Sequence, residues 1–336
     1  MPIGFEADNA DLVWRQAAVA LMSADHSTLQ QSRLGDTREI LHAYLTIRNP
    51  RNRWVYSRKP GINPAFAIAE AFWILSGSNK ASDINFWNPA LPRYAGRAEN
   101  YHGAYGFRLR NQFGFDQIER AYAALHSNPN SRQVVMQIWS SVEDFPDEDG
   151  GPVSADIPCN ICSMLKVRSG RLEWTQVMRS NDLFRGTPYN FVQFTMLQEV
   201  LAGWLGYEMG GYLQICDSMH LYEDDLKHFS VHNDTLIPAN PDSLSLPKKE
   251  SDEVLEEMIC RLGQFAAHEL EENSFRKILE VSSLPKAYRN LLCIAAADSA
   301  RRRGWIEAME ESAAACQNDA LRQVWDGWVL NKSNRQ

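Results

Sequence analysis

Between Pro158 and Asn190 the chain reads Pro-Cys-Asn-Ile-Cys-Ser-Met-Leu-Lys-Val-Arg-Ser-Gly-Arg-Leu-Glu-Trp-Thr-Gln-Val-Met-Arg-Ser-Asn-Asp-Leu-Phe-Arg-Gly-Thr-Pro-Tyr-Asn. Ile161, Ser163, Leu165 and Val167 fall on alternate positions before Ser169-Gly170, and Leu172, Trp174, Gln176 and Met178 on alternate positions after it. Period-two patterning on both sides of a Ser-Gly turn predicts a β-hairpin, each quartet sharing one face of its strand. A hairpin brings its two ends together. Cys159, a residue able to act as a nucleophile, is thereby carried next to Arg179, Ser180 and Asp182, and the stretch reads as an active site held in one supersecondary unit.

The 336 residues suffice for one large domain or two modest ones, and an apolar fraction of 44% is ordinary for a chain that buries a sizeable core. A formal net charge of -8 opposes nonspecific nucleic-acid binding, which needs a basic surface. No nucleic acid is expected as a partner, and an anionic ligand must be gripped by a local arginine cluster. No run reaches the apolar length of a membrane span, and the opening Met-Pro-Ile-Gly-Phe-Glu-Ala-Asp has no basic start followed by a greasy stretch. A cytoplasmic location without membrane contact is expected.

Six cysteines, at positions 159, 162, 216, 260, 293 and 316, do not make a dense disulfide framework in a chain of this size, so free thiols are expected. Cys159 and Cys162 form one Cys-x-x-Cys with no second pair, and a spacing of three on a strand points the two side chains to opposite faces. His228 and His232 have the spacing of one helical face but lack the glutamate of a zinc protease motif. No metal is expected.

Residues 9–24 have the spacing of an amphipathic helix, and a strand is predicted from Ile40 to Ile47 after the turn-rich Ser32–Thr37. Asn49–Pro64 reads as loop. Ala65–Leu75 is an apolar helix closed by Gly77 and interrupted by one carboxylate, Glu70. Residues 82–110 read mostly as loop, Gln117–His126 as helix, Gln133–Trp139 as strand and Glu143–Gly151 as an exposed insertion. A long helix is predicted over Phe191–Leu205, and Glu208–Cys216 leads into Asp217–Tyr222. Asn233–Glu250 reads as a linker, and residues 251–331 are helical by pattern, with no strand and no internal repeat.

Over Ser32–Asp225 these residues resemble the thymidylate synthase family, through several motifs in order. Arg33 with Gly35 is similar to its first phosphate-binding turn, Glu70 before Phe-Trp-Ile-Leu-Ser-Gly to its helix with the catalytic glutamate, and Tyr105-Gly106 to its active-site tyrosine. Ser131-Arg132 resembles the arginine that crosses to the partner subunit, and Pro158-Cys159 the nucleophile. Arg179-Ser180-x-Asp182, Gly186 and Asn190 resemble the phosphate, folate and base segment, and His220-x-Tyr222 the sugar-hydroxyl pair. The resemblance implies an α/β (α+β) fold with a large twisted mixed sheet and flanking helices, over residues 1–245, followed by a helical C-terminal extension over 246–336. It also implies a homodimer in which Arg132 reaches the partner's site, a pyrimidine nucleoside monophosphate as substrate, and 5,10-methylenetetrahydrofolate as one-carbon donor, contacted by Trp87, Asp182 and Gly186.

The chemistry explains why these groups belong together. Position 5 of a pyrimidine is a poor nucleophile, and attack of a thiolate at C6 makes C5 enolate-like. Cys159 would supply the thiolate; a free thiol titrates near about 8.5 and is activated by cationic neighbours, of which Arg179 leads. Arg179 would share the phosphate with Arg33, Arg132 and Ser180 through charge-assisted bonds. Glu70, in an apolar helix, is suited to proton transfer through water.

Departures from the family pattern cluster near the base. Asn160 follows the nucleophile in place of a histidine, Met178 precedes Arg179 in place of a glutamine, Gln133 stands where a second arginine is usual, and Ala90 takes the second place of a Trp-x-x-Trp segment that begins at Trp87. The family's closing tail has no visible counterpart. Met178-Arg179-Ser180-Asn181-Asp182 with Ser218-x-His220-x-Tyr222 resembles the deoxycytidylate hydroxymethylase branch, which implies addition of water where thymidylate synthases deliver hydride. The expected activity is nucleotide 5-hydroxymethylation, with reductive methylation the alternative and a catalytically inactive nucleotide- or RNA-binding relative a second. Where the cytosine-specific hydroxymethylases have an aspartate, this chain has Asn190. An Asn amide can be flipped to suit uracil or cytosine, so the base stays open, as does ribose against deoxyribose.

Overall fold

Ser169 and Gly170 adopt φ of 50° and 73°, the left-handed pair whose twist matches that of the strands it joins. The computed structural model describes the chain except Met1, Arg33, Leu34 and residues 227–229, 232–235, 281–282 and 334–336. The strands are β1 (Ile3–Ala7), β2 (Thr28–Ser32), β3 (Gly35–Ile47), β4 (Arg58–Lys59), β5 (Val135–Gln137), β6 (Asn160–Arg168), β7 (Arg171–Asp182), β8 (Glu208–Tyr222) and β9 (Ser230–Val231). The helices of the first part are α1 (Ala10–Met22), α2 (Pro64–Ser76), α3 (Ala81–Asn85), α4 (Pro92–Ala95), α5 (Tyr105–Phe107), α6 (Gln117–Ser127), α7 (Thr187–Leu205) and α8 (Glu223–Leu226). Then follow α9 (Lys248–Ala266), α10 (Glu272–Leu279), α11 (Lys286–Arg303), α12 (Ile306–Ala315) and α13 (Asp319–Ser333).

A seven-stranded sheet runs β1-β3-β8-β7-β6-β5, with β2 also on β3. β1 pairs parallel with β3 and β7 parallel with β8, while the other pairs in this sheet are antiparallel, which makes it mixed as the resemblance implies. The hairpin of β6 and β7 therefore lies inside the sheet, and its open end is the end that carries Cys159 and Arg179.

The predicted sharing of faces holds with one exception. Ser163, Leu165, Val167, Leu172, Trp174, Gln176 and Met178 are buried, but Ile161 is half-exposed and Asn160 is fully enclosed. The register shifts between Asn160 and Cys162, and an extra residue in one strand turns the alternation over. The bulge sits immediately after the candidate nucleophile. β3 is longer than predicted and includes Gly35–Glu39, β5 is shorter, and short helical turns (α3, α4, α5) occupy residues read as loop.

Helix ends follow local chemistry. Asn63 accepts hydrogen bonds from the amides of Ala65 and Phe66, Pro64 opens α2, and Gly77, with φ of 73°, closes it. Pro188 stands in the first turn of α7. α7 is buried along almost its whole length, with Phe191 edge-on to Tyr212 of β8 and Phe194 beside Trp174 of β7. α2 lies against α7, so Glu70 and Asn190 face one another across that helix pair.

The C-terminal helices share the core. α11 packs on α2, with Phe72 edge-on to Tyr288. Trp325 and Trp328 are buried in the same apolar cluster as Trp14, Trp174 and Trp204. Arg302 donates to the Trp87 carbonyl at 2.6 Å and to the buried Asp298 at 2.7 Å. No helix among the described residues is long and apolar enough to cross a membrane.

Candidate active site

Cys159 stands half-buried at the entrance to β6. The Arg179 amide donates to the Cys159 carbonyl at 3.0 Å, and the Arg179 guanidinium donates to the carbonyls of Pro158 at 3.0 Å and Ile157 at 3.2 Å. The guanidinium is thus fastened beside the thiol by the backbone that leads into it. Burial pushes the thiol above its ordinary range; Arg179 pulls it down, while Asp156 and Asp182 add to the rise. Arg179 thus acts on this thiol in the expected direction, and in the free protein desolvation outweighs it.

Glu70 is half-buried on α2, and burial raises its carboxyl to about 7, against a hydrogen bond from Gln193 that acts the other way. Gln193 Nε2 donates to Glu70 Oε2 at 2.5 Å, and Gln193 Oε1 accepts from Asn190 Nδ2 at 3.1 Å. Asn190 is 6% exposed. The Tyr105 phenol is pushed up by burial and then by Cys159, with the Asn160 amide beside it acting the other way and Glu70 and Asp156 adding to the rise. Cys159, Glu70, Tyr105 and Asn190 therefore converge, although their sequence positions are widely separated.

Tyr105 is held there by its neighbour. A Cβ on Gly106 would lie 2.4 Å from the Ile74 carbonyl oxygen and 2.6 Å from Ile74 Cα, so only glycine allows the chain to lie directly on α2 at that point. Asn160, enclosed behind Cys159, accepts from Gln176 Nε2 at 2.8 Å, and Gln176 Oε1 accepts in turn from Ser163 and Trp174. Met178 is 1% exposed.

At the far ends of β7 and β8, Asp182 and His220 are paired strand neighbours. Asp182 Oδ1 accepts from the amides of Phe184 and Arg185 at 2.8 and 2.7 Å, shaping the turn that leads to Gly186 and α7. Burial pushes the Asp182 carboxyl up and the His220 imidazole down, each partly offset by the other. Tyr222 stands edge-on to His220 with ring centroids 5.4 Å apart. Ser180 is half-buried on β7 between Arg179 and Asn181.

Three predicted positions stand apart. Arg33 lies outside the described residues, as do His228 and His232. Arg132 is exposed just before the edge strand β5. Trp87 is 1% exposed, packed against Phe86, so its ring presents no accessible face. Sequence reasoning missed Gln193, Asp156 and Arg185. Gln193 looks like one more residue of an apolar helix. Asp156 takes a hydrogen bond from the Gly103 amide at 2.7 Å, and Arg185 pairs with Asp225 at 2.7 Å while stacking over Tyr222. Their spacing along the chain carries no signal of this clustering. Among the described residues, no group of three or more His, Cys, Asp or Glu side chains is placed to hold a metal ion.

The raised Glu70 carboxyl has a consequence for stability. A carboxyl whose folded value lies above its ordinary one binds its proton more tightly in the folded state, so stability falls as pH rises from the ordinary carboxylate value through about 7. Glu70→Gln removes that dependence. The melting temperature of the wild type should fall relative to Glu70→Gln between about pH 5 and about pH 8. A difference that stays constant over that range would mean that the carboxyl is solvated.

A mixed sheet with one buried helix behind it gathers a half-buried thiol, an arginine, a carboxyl raised by burial and an amide at one strand end. The family follows from comparison: residues 54–259 match the thymidylate synthase family model, and the chain belongs to that family. It is 34% identical over 199 residues to a deoxyuridylate hydroxymethyltransferase of Bacillus phage SP01, covering 56% of this chain and 51% of the relative. It is also 34% identical over 194 residues to a deoxyuridylate hydroxymethyltransferase of Pseudomonas phage M6, covering 57% of this chain and 53% of the relative. The chain thus spans about half the length of these curated relatives. Among solved structures it resembles thymidylate synthase from T4 phage, with a TM-score of 0.53 and 22% identity over 64% of this chain and 77% of that one, a likeness of fold.

Proposed function

We propose that this chain is a folate-dependent one-carbon transferase that hydroxymethylates C5 of a pyrimidine nucleoside monophosphate, deoxyuridylate foremost. The observation that carries the reading is the convergence of Cys159, beside Arg179, with Glu70, Tyr105 and Asn190. The names of the phage relatives support the hydroxymethyl product and the deoxyuridylate substrate.

Cys159 would add to C6 as thiolate. Its raised value in the free protein means that it loses its proton when charge begins to develop, with Arg179 beside it to stabilise the anion. Negative charge then moves through C5 to the substituent at C4. Glu70, near neutrality in its titration, can hold or release a proton on that edge, with Tyr105 and Asn190 bordering the ring. Arg179 and Ser180 would grip the phosphate, joined by Arg33 and by Arg132 of a second subunit, and His220 and Tyr222 would face the sugar.

The folate site is tested by Asp182 and Gly186. Asp182 spends Oδ1 on its own turn, while Oδ2, held only at 3.9 Å from Arg185 Nε, would accept from a ligand donor such as the amino edge of a pterin, and Gly186 at the start of α7 leaves room beside it. 5,10-Methylenetetrahydrofolate bound there would supply the one-carbon unit. Trp87 would support that site from beneath, since its ring is enclosed. With Ala90 in the second position of that segment, no second tryptophan walls off the site, which favours entry of the water that distinguishes hydroxymethylation from methylation.

A homodimer completes the reading. On the sheet face opposite α1 and α7, two cross-strand rows, Tyr44, Ile215, Val177, Cys162 and Thr46, Leu213, Thr175, Met164, are half-exposed. Such an apolar sheet face suits a second copy of itself.

The test is to incubate the protein with methylenetetrahydrofolate and each of dUMP, dCMP, UMP and CMP and to weigh the products. A hydroxymethyl product on dUMP without formation of dihydrofolate is expected. A methyl product with dihydrofolate would make the chain a thymidylate synthase, and no change in any of the four would end the transferase reading.

A further inference from the structure

Gln193 lies one turn beyond Asn190 on α7, 3% exposed, and the reaction as described makes no use of it. Its amide bridges the two groups that meet the base, donating to Glu70 Oε2 at 2.5 Å and accepting from Asn190 Nδ2 at 3.1 Å. We propose that Gln193 is a specificity-determining positioning residue, which locks the Asn190 amide in the orientation that accepts a pyrimidine with a carbonyl at C4 and rejects one with an amino group there. This rests on the reading of the site as a pyrimidine C5 transferase.

The lock follows from donor and acceptor polarity. Glu70 Oε2 takes Gln193 by its amide nitrogen, because both oxygens of an ionised carboxylate, and the carbonyl oxygen of a protonated one, can only accept. That leaves Gln193 the oxygen to offer Asn190, and Asn190 must answer with Nδ2. Its Oδ1 then turns to the Gly186 side, where it lies 3.5 Å from the place a Cβ on Gly186 would occupy. A free asparagine amide flips at little cost and serves either base. Here a flip of Asn190 sets oxygen against oxygen, and a flip of Gln193 sets nitrogen against nitrogen at Asn190 and, while Glu70 is ionised, oxygen against carboxylate, each in a buried site where an unmet polar group is expensive.

The chemistry orients the base. Thiolate addition at C6 drives charge through C5 onto the C4 substituent, so that edge has to face Glu70, the proton carrier. The Nδ2 end of Asn190 is the end nearer Gln193 and Glu70, and it carries a second hydrogen. A carbonyl at C4 accepts that hydrogen while Oδ1, on the Gly186 side, accepts the hydrogen on N3. With an amino group at C4, donor meets donor, and the bare N3 meets an oxygen. A site built to bond one polar group rejects its replacement by orders of magnitude when the partners are left mismatched.

The test compares the wild type with Gln193→Met, which keeps the length of the side chain and removes both polar ends, and with Gln193→Glu. Each is assayed for turnover of dUMP and dCMP with methylenetetrahydrofolate, and for calorimetric binding of each nucleotide without folate. In Gln193→Met the preference for dUMP, in kcat/KM and in affinity, should fall at least about tenfold. In Gln193→Glu the two adjacent carboxyls share a proton and the new side chain still accepts from Asn190, so the preference should stay within about threefold while the pH profile of kcat moves upward. A merely structural role would weaken both nucleotides together. An unchanged ratio in Gln193→Met, or a wild type without preference for dUMP, overturns the proposal. A wild type that binds dUMP in preference but modifies neither nucleotide ends the transferase reading, and the binding ratios then decide the lock by themselves.

Discussion

Cys159→Ala should lose turnover by about 10⁴-fold or more, the scale on which removal of a covalent nucleophile acts, while nucleotide binding stays within a few-fold of the wild type. The split is expected because Cys159 is separate from the groups that hold the ligand. The Arg179 guanidinium is fastened to the carbonyls of Ile157 and Pro158, and Asn190 to Gln193, so neither loses its support when the sulfur goes. The thiol itself is raised by burial and restrained by Arg179. Alkylation of Cys159 in the free protein should therefore accelerate at a higher pH than for an ordinary cysteine, and Arg179→Met should move that onset higher still. Turnover of Cys159→Ala within tenfold of the wild type would remove the covalent adduct from the mechanism, and with it the role given to Arg179 at the sulfur.

How far this site was legible depends on whether its geometry is local. The β6–β7 hairpin could be read from alternation and from Ser169-Gly170, because period and turn chemistry are both short-range. The placement of Ile161 could not, since a one-residue bulge between Asn160 and Cys162 leaves the pattern of residue types unchanged and reverses which of them is buried. Glu70 announced itself as the only carboxylate in an apolar helix. Its partner Gln193 did not, for the contact spans 123 positions and a glutamine on a buried helix has no periodic signature. Arg179 could be placed near Cys159 by the hairpin, but the balance between its charge and the desolvation of the sulfur is set by everything packed around them. Trp87 is a similar case. The segment that contains it was readable, while its enclosure depends on packing, including Arg302 of α11 on its carbonyl, and α11 comes from the helical region whose role could not be derived from pattern. Helix α11 thus buttresses a segment of the resemblance.

The second large effect concerns the proposed dimer, and it can be measured by complementation. Arg132 is exposed at the edge of the sheet, before β5, while Cys159 sits at the open end of the hairpin. If Arg132 serves the site of the partner, Arg132→Ala should lower kcat/KM about 30-fold or more, since removing one side of a charged hydrogen-bonded pair costs several kcal/mol. Alone, Cys159→Ala should be inactive and Arg132→Ala should keep only the few per cent that a loss of about 30-fold leaves. Mixed dimers of the two are a different matter. One of their sites lacks both groups, but the other combines an intact Cys159 from one subunit with an intact Arg132 from its partner. Co-refolding equal amounts should therefore restore about a quarter of wild-type activity, half the dimers being mixed and one site in each being whole. Ile215→Asp supplies the control. Ile215 lies between Tyr44 and Val177 in a half-exposed apolar row, and a charge there must either stay in water or be buried unpaired in the interface. Its expected result is a monomer by sedimentation, with activity lost and no recovery on mixing. If instead the mixture of Arg132→Ala and Cys159→Ala stays inactive while dimers still form, Arg132 works within its own subunit or not at all, and the phosphate must be held by Arg179, Ser180 and whatever the turn at Arg33 contributes.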